Sequence, residues 1–169
     1  MKLTLDDLVV LRRFPMDRHS RINFVYGLIE LCKENLTTEM SMVECGTAEG
    51  ISTMTFAHFV REIVTIDRNR LVLPALDEFQ NVRRITGDTV NEAVNFTSRS
   101  LDCVYLDSDH SFAHVTAEIE AWLPKIKSGG YIAGHDFQSD PGVEVIRAVC
   151  QRFDFPDRIY GDSSWIVKV

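Results

Sequence analysis

The sequence predicts an α/β fold: a mainly parallel sheet with crossover helices, edged by an antiparallel hairpin. Three observations predict it. From residue 42 onward, short apolar runs rich in β-branched residues alternate with longer amphipathic stretches, as strand–helix–strand crossovers require. Val43 to Ser52 compresses a strand, a glycine-bearing turn and a helix start into one short segment. The last two apolar runs are separated only by Gly161-Asp162-Ser163, a turn too short for anything but antiparallel pairing.

Taken in order, Leu5, Leu8, Val9 and Leu11, then Ile22, Val25, Leu28, Ile29 and Cys32, recur at the spacing of a helix face, with Pro15 separating two helices. Met42 to Cys45 reads as a first strand and Ile51 to Val60 as its helix. Glu62 to Ile66 is a second strand, followed by a helix around Leu71 to Phe79, and Val82 to Ile85 is a third. Leu101 to Leu106 is almost continuously apolar, which suits a central strand buried on both faces. Phe112 to Ile126 is an amphipathic helix with Val115, Ile119, Trp122 and Leu123 on one side. Ser128-Gly129-Gly130 then turns the chain into a fifth strand, Tyr131 to Ala133, and Val143 to Phe153 forms a further helix. Arg158 to Tyr160 and Trp165 to Val169 close the sheet. Trp122 and Trp165 read as packing residues.

The chain has 169 residues, which suits a single domain, residues 1–169, with N-terminal helices over 1–41 and the sheet core over 42–169. Lys+Arg at 18 against Asp+Glu at 25 leaves a net charge of −7, which argues against a nucleic-acid partner. The local cluster Arg12, Arg13, Arg18 and Arg21 reads as a solvated helix face. Cys32, Cys45, Cys103 and Cys150 are far apart in sequence and form no C-x-x-C pair, so they are expected as reduced thiols. No run approaches the ~20 apolar residues of a membrane span, and the start of the chain has no signal-peptide form, so no membrane partner and a cytoplasmic location are expected.

Val43-Glu44-Cys45-Gly46-Thr47-Ala48-Glu49-Gly50-Ile51-Ser52 reads either as a ligand cradle or as a plain tight turn. Gly46 would let the backbone turn sharply and approach a ligand, and Gly50 would let the following helix do so. A dinucleotide fits poorly, because its fingerprint needs glycine where Ala48 stands and Glu44 would repel a pyrophosphate. A cationic ligand suits the acid better. Asp67, about twenty residues on at the end of the second strand, is placed to accept from the hydroxyls of a ribose. Asp88, after the third strand, could accept from an adenine amino group or serve as an N-cap. Asp107, Asp109 and His110 follow the fourth strand, and His135 and Asp136 the fifth. If those strands are neighbours, carboxylates and imidazoles converge at one edge, where they could hold a divalent ion or serve as a general base. His19, His58 and His114 fall in helical stretches and read as surface or packing residues.

These segments resemble class I S-adenosylmethionine-dependent methyltransferases over Met42 to about Phe153. Glu44-x-Gly46-x-x-x-Gly50 looks like their first motif, Asp67 like their ribose-binding acid, and Gly87-Asp88 like their adenine-side position. Leu101-Asp102-Cys103-Val104-Tyr105-Leu106-Asp107-Ser108-Asp109-His110-Ser111-Phe112, continued by Trp122-Leu123-Pro124 and Gly129-Gly130-Tyr131-Ile132-Ala133-Gly134-His135-Asp136, is similar to the small D-x-D-H subgroup, of the methyltransferase domain 24 kind. The resemblance implies a Rossmann-like sheet of order 3-2-1-4-5-7-6 with strand seven antiparallel and helices on both faces. It implies S-adenosylmethionine as cofactor, held by Glu44, Gly46, Thr47, Gly50, Ser52, Asp67, Arg68, Asp88 and Asp107. It further implies O-methylation of a small-molecule hydroxyl with His110, Asp107 and His135 as catalytic residues. Asp107, His135 and Asp136 are the ligands of a magnesium, manganese or zinc ion if one assists. The acceptor would be chosen by the helix holding Arg12, Arg13 and Phe14, by the loop near Phe137, or by a partner subunit in a homodimer. A non-catalytic adenosylmethionine-binding module and a nicotinamide-dependent oxidoreductase are the rival expectations.

Overall fold

Strand β1 (Ser41–Cys45) is buried along its whole length, because it is paired on both edges and covered on both faces. The computed structural model describes residues 18–70, 73–138 and 142–169, with side chains from Val25 onward. Parallel to β1 lie β2 (Glu62–Asp67) on one side and β4 (Leu101–Leu106) on the other. With β3 (Val82–Thr86), β5 (Ile126–Gly134), β6 (Arg158–Ile159) and β7 (Trp165–Lys168), the sheet runs β3-β2-β1-β4-β5-β7-β6. Strands β1 to β5 are parallel, β7 is antiparallel to β5, and β6 is antiparallel to β7. This is the expected Rossmann-like order, closing hairpin included.

Alternation along the central strands sends successive side chains to opposite faces. Met42, Cys103 and Tyr105 pack with Leu28, Leu31 and Cys32 of α1 (Arg18–Asn35) and Phe56 of α2 (Ile51–Ala57). Val43, Val104 and Leu106 pack on the other face with Val115, Ile119 and Trp122 of α4 (Phe112–Trp122) and Val145, Ala148 and Val149 of α5 (Val143–Phe153). A short helix α3 (Thr89–Glu92) follows β3. Trp122 and Trp165 are fully buried, as expected. Cys32, Cys45, Cys103 and Cys150 are free thiols. Among the described residues no helix is long and apolar enough to cross a membrane.

Four elements differ from the sequence expectation by more than a single residue at a boundary. In place of the helix around Leu71 to Phe79 there is a five-residue 3₁₀ turn, Pro74–Glu78. Leu73, Leu76 and Phe79 recur every third residue, the period of that tighter helix. Helix α2 ends at Ala57 rather than Val60, with the His58 amide closing the last turn. Helix α4 stops at Trp122, where a 3₁₀ turn, Leu123–Lys125, takes over around Pro124, a residue with no amide proton to continue the ladder. Strand β5 begins at Ile126, so Ser128-Gly129-Gly130 is a bulge within it rather than a turn before it, marked by a register shift against β4 between Leu101 and Cys103. The expectations for Leu5 to Leu11, Arg12, Arg13, Phe14 and Pro15, and for the side chains of Arg18, His19 and Arg21, lie outside the described residues.

The order reverses between β1 and β4, since the chain first builds outward through β2 and β3 and then returns. Crossovers leave in opposite directions there, and a crevice forms beyond the carboxyl ends of the strands.

Candidate active site

A cavity of about 240 Å³ occupies that crevice. Each of four adjacent strands contributes the residues that follow it: Gly46 and Ala48 after β1, Asp67 to Asn69 after β2, Gly87 to Thr89 after β3, and Asp107 to Asp109 after β4. Asp67, Asp88, Asp107 and Asp109 face it against one cation, Arg68, so the site favours a positively charged or donor-rich ligand.

The loop after β1 is built by backbone contacts that only particular residues permit. Gly46 has φ 95, and a Cβ there would lie 2.0 Å from the Asp107 carbonyl oxygen. The close approach of the β1 and β4 ends thus depends on glycine at this position. Gly50 has φ 77 and sits at the N-terminus of α2 against Leu76. The amides of Thr47 and Ala48 both donate to Asp67 Oδ2 at 3.1 Å, and the Asn69 amide donates to Asp67 Oδ1 at 2.8 Å. Burial alone would raise the Asp67 pKa, but these backbone donors outweigh it and hold the carboxyl below its ordinary value. The Asn69 side chain bonds this carboxylate as well, so it is held in one position at the cavity edge. Asp88 caps α3 by accepting from the Asn91 amide at 2.9 Å and lines the cavity as well.

Glu44 is fully buried and is not among the residues lining the cavity. Its Oε2 accepts from the hydroxyls of Thr53 and Thr65, the latter at 2.7 Å, and Thr65 in turn meets Thr47 Oγ1 at 2.7 Å. Glu44 and Ser52 therefore support the loop from beneath, while Gly46, Asp67, Arg68, Asp88 and Asp107 face the ligand space. Burial pushes the Glu44 carboxyl up to about 7, with the hydroxyls of Ser52, Thr53 and Thr65 opposing the shift. Its unfolded value is the ordinary 4.5, so between these values the folded chain keeps a proton that the unfolded chain has lost. Stability contributed at this residue is thus greatest at acidic pH and falls as pH rises toward 7. Glu44→Gln, which cannot titrate, is expected to gain on the order of 3 kcal/mol relative to wild type between pH 4.5 and 8. Urea melts of both proteins at the two pH values check this.

At the cavity's β4–β5 side Asp107 continues into a cluster. His110 Nε2 lies 3.5 Å from Asp107 Oδ1 and 3.2 Å from Asp136 Oδ2, and His135 Nδ1 lies 3.4 Å from Asp136 Oδ2. Donor atoms of Asp107, His110 and Asp136 all lie within 4.8 Å of one another. His110, expected as a base, thus completes a three-residue donor group with Asp107 and Asp136, and His135 adjoins it through Asp136. Asp136 is buried and takes φ 58, and its Oδ2 lies between His110 and His135. The hydrogen bond to Asp107 and the charge of Asp136 raise the His110 pKa above the ordinary imidazole value. Burial works against a proton on His135, yet Asp136, Asp107 and Asp162 outweigh it and push its pKa up to about 9. His135 therefore stays protonated near neutrality, and its hydrogen bond holds the Asp136 carboxyl low.

His114 is not the remote packing residue expected from its helix. Its Nε2 lies 3.1 Å from Ser108 Oγ, 3.2 Å from Thr89 Oγ1 and 3.4 Å from Glu118 Oε1, behind the cavity wall. Neither Thr89, Ser108 nor Glu118 was anticipated as a site residue. A signal for Glu118 exists: it is an acid three residues after Val115 and four before Trp122, within the apolar stripe of α4. His58 packs its ring edge-on against Phe79, away from this edge.

A family model described as a methyltransferase domain matches residues 43–137. No curated protein matches in sequence. Among solved structures, a SAM-dependent methyltransferase from Aquifex aeolicus is similar at TM-score 0.66 and 13% identity, over 99% of this chain and 98% of that one. CalS11, a TDP-rhamnose 3'-O-methyltransferase of calicheamicin biosynthesis, is similar at TM-score 0.60 and 14% identity, over 99% and 96%. Phosphoethanolamine N-methyltransferase 1 of Haemonchus contortus, in complex with phosphoethanolamine and S-adenosylhomocysteine, is similar at TM-score 0.59 and 18% identity. That likeness takes in 73% of this chain but only 28% of that enzyme's length.

Proposed function

The chain belongs to the methyltransferase domain family and has the class I methyltransferase fold, and on that premise we propose that it transfers the methyl group of S-adenosylmethionine to a hydroxyl of a small molecule. One observation carries the reading. Asp107 both lines the acidic cavity and contacts His110, so the ligand space and an imidazole base meet at one side chain. S-adenosylmethionine supplies a methyl group on a cationic sulfonium, and its ribose hydroxyls and amines are donors that suit four carboxylates.

Gly46 and Ala48 line the space for the methionine portion, and Asp67 lies where a ribose hydroxyl can reach its carboxylate. Displacement at a methyl carbon needs nucleophile, carbon and sulfur in line, so most of the catalysis is alignment. His110, which meets the cavity through Asp107, removes the acceptor's proton as its oxygen attacks. Asp107 and Asp136 then stabilise the imidazolium that results.

The donor group also fits a divalent ion. Asp107, His110 and Asp136 would hold it, and a mixed imidazole and carboxylate set suits manganese or zinc better than magnesium. Such an ion would lower the pKa of a coordinated hydroxyl.

Calorimetric titration of chelator-treated protein with S-adenosylhomocysteine tests the cofactor. Micromolar binding, worth about −8 kcal/mol, is expected. No heat from a folded sample, together with binding of NADH, would replace the reading with an oxidoreductase. Titration with manganese or zinc alone, in wild type and Asp136→Asn, tests the ion: binding lost in the variant supports it, and no binding in either excludes it. Turnover across a panel of sugar and phenolic hydroxyls separates an enzyme from a cofactor-binding module.

A further inference from the structure

Behind the cavity wall lies a carboxylate that this mechanism does not use. Glu118 is 1% exposed on the inner face of α4. Its Oε1 accepts from the Thr89 hydroxyl at 2.5 Å and from the Ser108 hydroxyl at 2.6 Å, with His114 Nε2 at 3.4 Å. Its Oε2 is buried with no hydrogen-bond partner among the described residues. One turn further along α4, the Trp122 indole donates to the Thr89 carbonyl at 3.0 Å. Helix α4 thus grips the loop after β3 and the loop after β4 together, and Thr89 and Ser108 both line the cavity.

A buried acid is costly, and this one sits among Val115, Ile119 and Trp122, where an aliphatic side chain would pack without penalty. What an aliphatic residue would lack is the capacity to take protons from two hydroxyls at once. A hydroxyl has one proton and two lone pairs. With both protons committed to Glu118, Thr89 and Ser108 can only accept; His114 Nε2, 3.2 and 3.1 Å from them, can take up a lone pair of one, and the remainder are left for a ligand. Of the other side chains lining the cavity, Asp67, Asp88, Asp107 and Asp109 offer acceptor oxygens too, whereas Arg68, 3.7 Å from Asp109, and Asn69 carry donors.

We propose that Glu118 is a positioning residue that fixes Thr89 and Ser108 as acceptors toward the cavity, and so selects an amino-purine ligand over its 6-oxo counterpart. The inference rests on the S-adenosylmethionine reading. An exocyclic amine finds lone pairs on Thr89 and Ser108, whereas a carbonyl oxygen in its place meets other lone pairs and loses the hydrogen bonds it had in water. Sites built to accept from a ligand group reject analogues that cannot supply the donor. The ordering of both hydroxyls by one carboxylate oxygen turns a pair of adaptable side chains into fixed ones.

The test is a ratio. S-adenosylhomocysteine and S-inosylhomocysteine are titrated calorimetrically into wild type, Glu118→Gln and Thr89→Val, with thermal melts to establish folding. Wild type is expected to prefer the adenosyl ligand by roughly tenfold or more. In Glu118→Gln the amide presents protons where the carboxylate presented a lone pair, and a freed hydroxyl proton can turn to the cavity. The preference is expected to shrink about fivefold or more, through weaker adenosyl binding. Loss of affinity for both ligands by the same factor would reduce Glu118 to scaffold and overturn the proposal, as would an unchanged ratio. If Glu118→Gln does not melt cooperatively, Thr89→Val, which removes one acceptor and keeps Glu118, decides by the same ratio. Wild type that binds neither ligand overturns the cofactor reading itself, and this inference with it.

Discussion

Replacing His110 with alanine is expected to lower turnover by about 10²–10⁴-fold, the usual contribution of a general base, while S-adenosylhomocysteine binds within a few-fold of wild type. The two readouts separate because His110 is absent from the cavity lining and joins it only through Asp107. A base must be neutral to act, and contacts with Asp107 and Asp136 raise the His110 pKa above the ordinary imidazole value. The wild-type rate should therefore climb with pH through that raised value, and the limb should vanish in His110→Ala. Asp136→Asn removes one carboxylate that favours the protonated ring, so its limb should move to lower pH. A limb that does not move would show that another group titrates, and unchanged turnover in His110→Ala would remove it from the mechanism.

Much of the sheet was legible because its strands are buried on both faces, and burial writes continuous apolar runs into the chain. Leu101–Leu106 is the plainest example, with observed and expected limits the same. Helix limits were less legible: Leu73, Leu76 and Phe79 have a three-residue spacing that also appears in α-helical patterns, and Pro74 tips the segment to a 3₁₀ turn. Acids at strand ends were legible as site residues because parallel topology delivers them to one edge, and Asp67, Asp88 and Asp107 all reach the cavity. Glu44 has the same sequence signature yet points beneath the loop, since β1 residues alternate between faces and its neighbours Thr53 and Thr65 supply hydroxyls there.

The arrangement of the histidines was not legible. His110 and His135 each stand beside an acid in sequence, and nothing local says which ring faces Asp107 and Asp136. In the fold both rings reach the same oxygen of Asp136, and His110 alone also lies within 3.5 Å of Asp107 Oδ1. The Thr89–Ser108–Glu118 contacts join residues from α3, the loop after β4 and α4, so they exist only once those elements have packed.

Gly46→Ala should destabilise the fold and the cavity together. The position combines φ 95 with a Cβ site 2.0 Å from the Asp107 carbonyl oxygen, a contact that no side-chain rotation can relieve because both partners are backbone. Left-handed strain for alanine costs about 1–2 kcal/mol, and forcing atoms into a packed site adds about 1–3 kcal/mol. Together that is a large share of the ~5–15 kcal/mol that holds a typical domain folded. Relief would require the ends of β1 and β4 to separate, which breaks the Asp107 amide to Cys45 carbonyl hydrogen bond of 2.8 Å and widens the cavity between them. Chemical denaturation should register a loss of about 2–5 kcal/mol, and whatever remains folded should bind S-adenosylhomocysteine roughly tenfold more weakly or worse. Gly50→Ala supplies the control. Its φ of 77 carries similar strain, but its new methyl would meet Leu76 Cδ1 at 3.1 Å, the tip of a side chain that can give way. Its loss should stay near the strain alone, about 1–2 kcal/mol, with binding largely retained. Equal losses in the two variants would mean that backbone strain, not the approach of β1 to β4, is what glycine relieves in this loop.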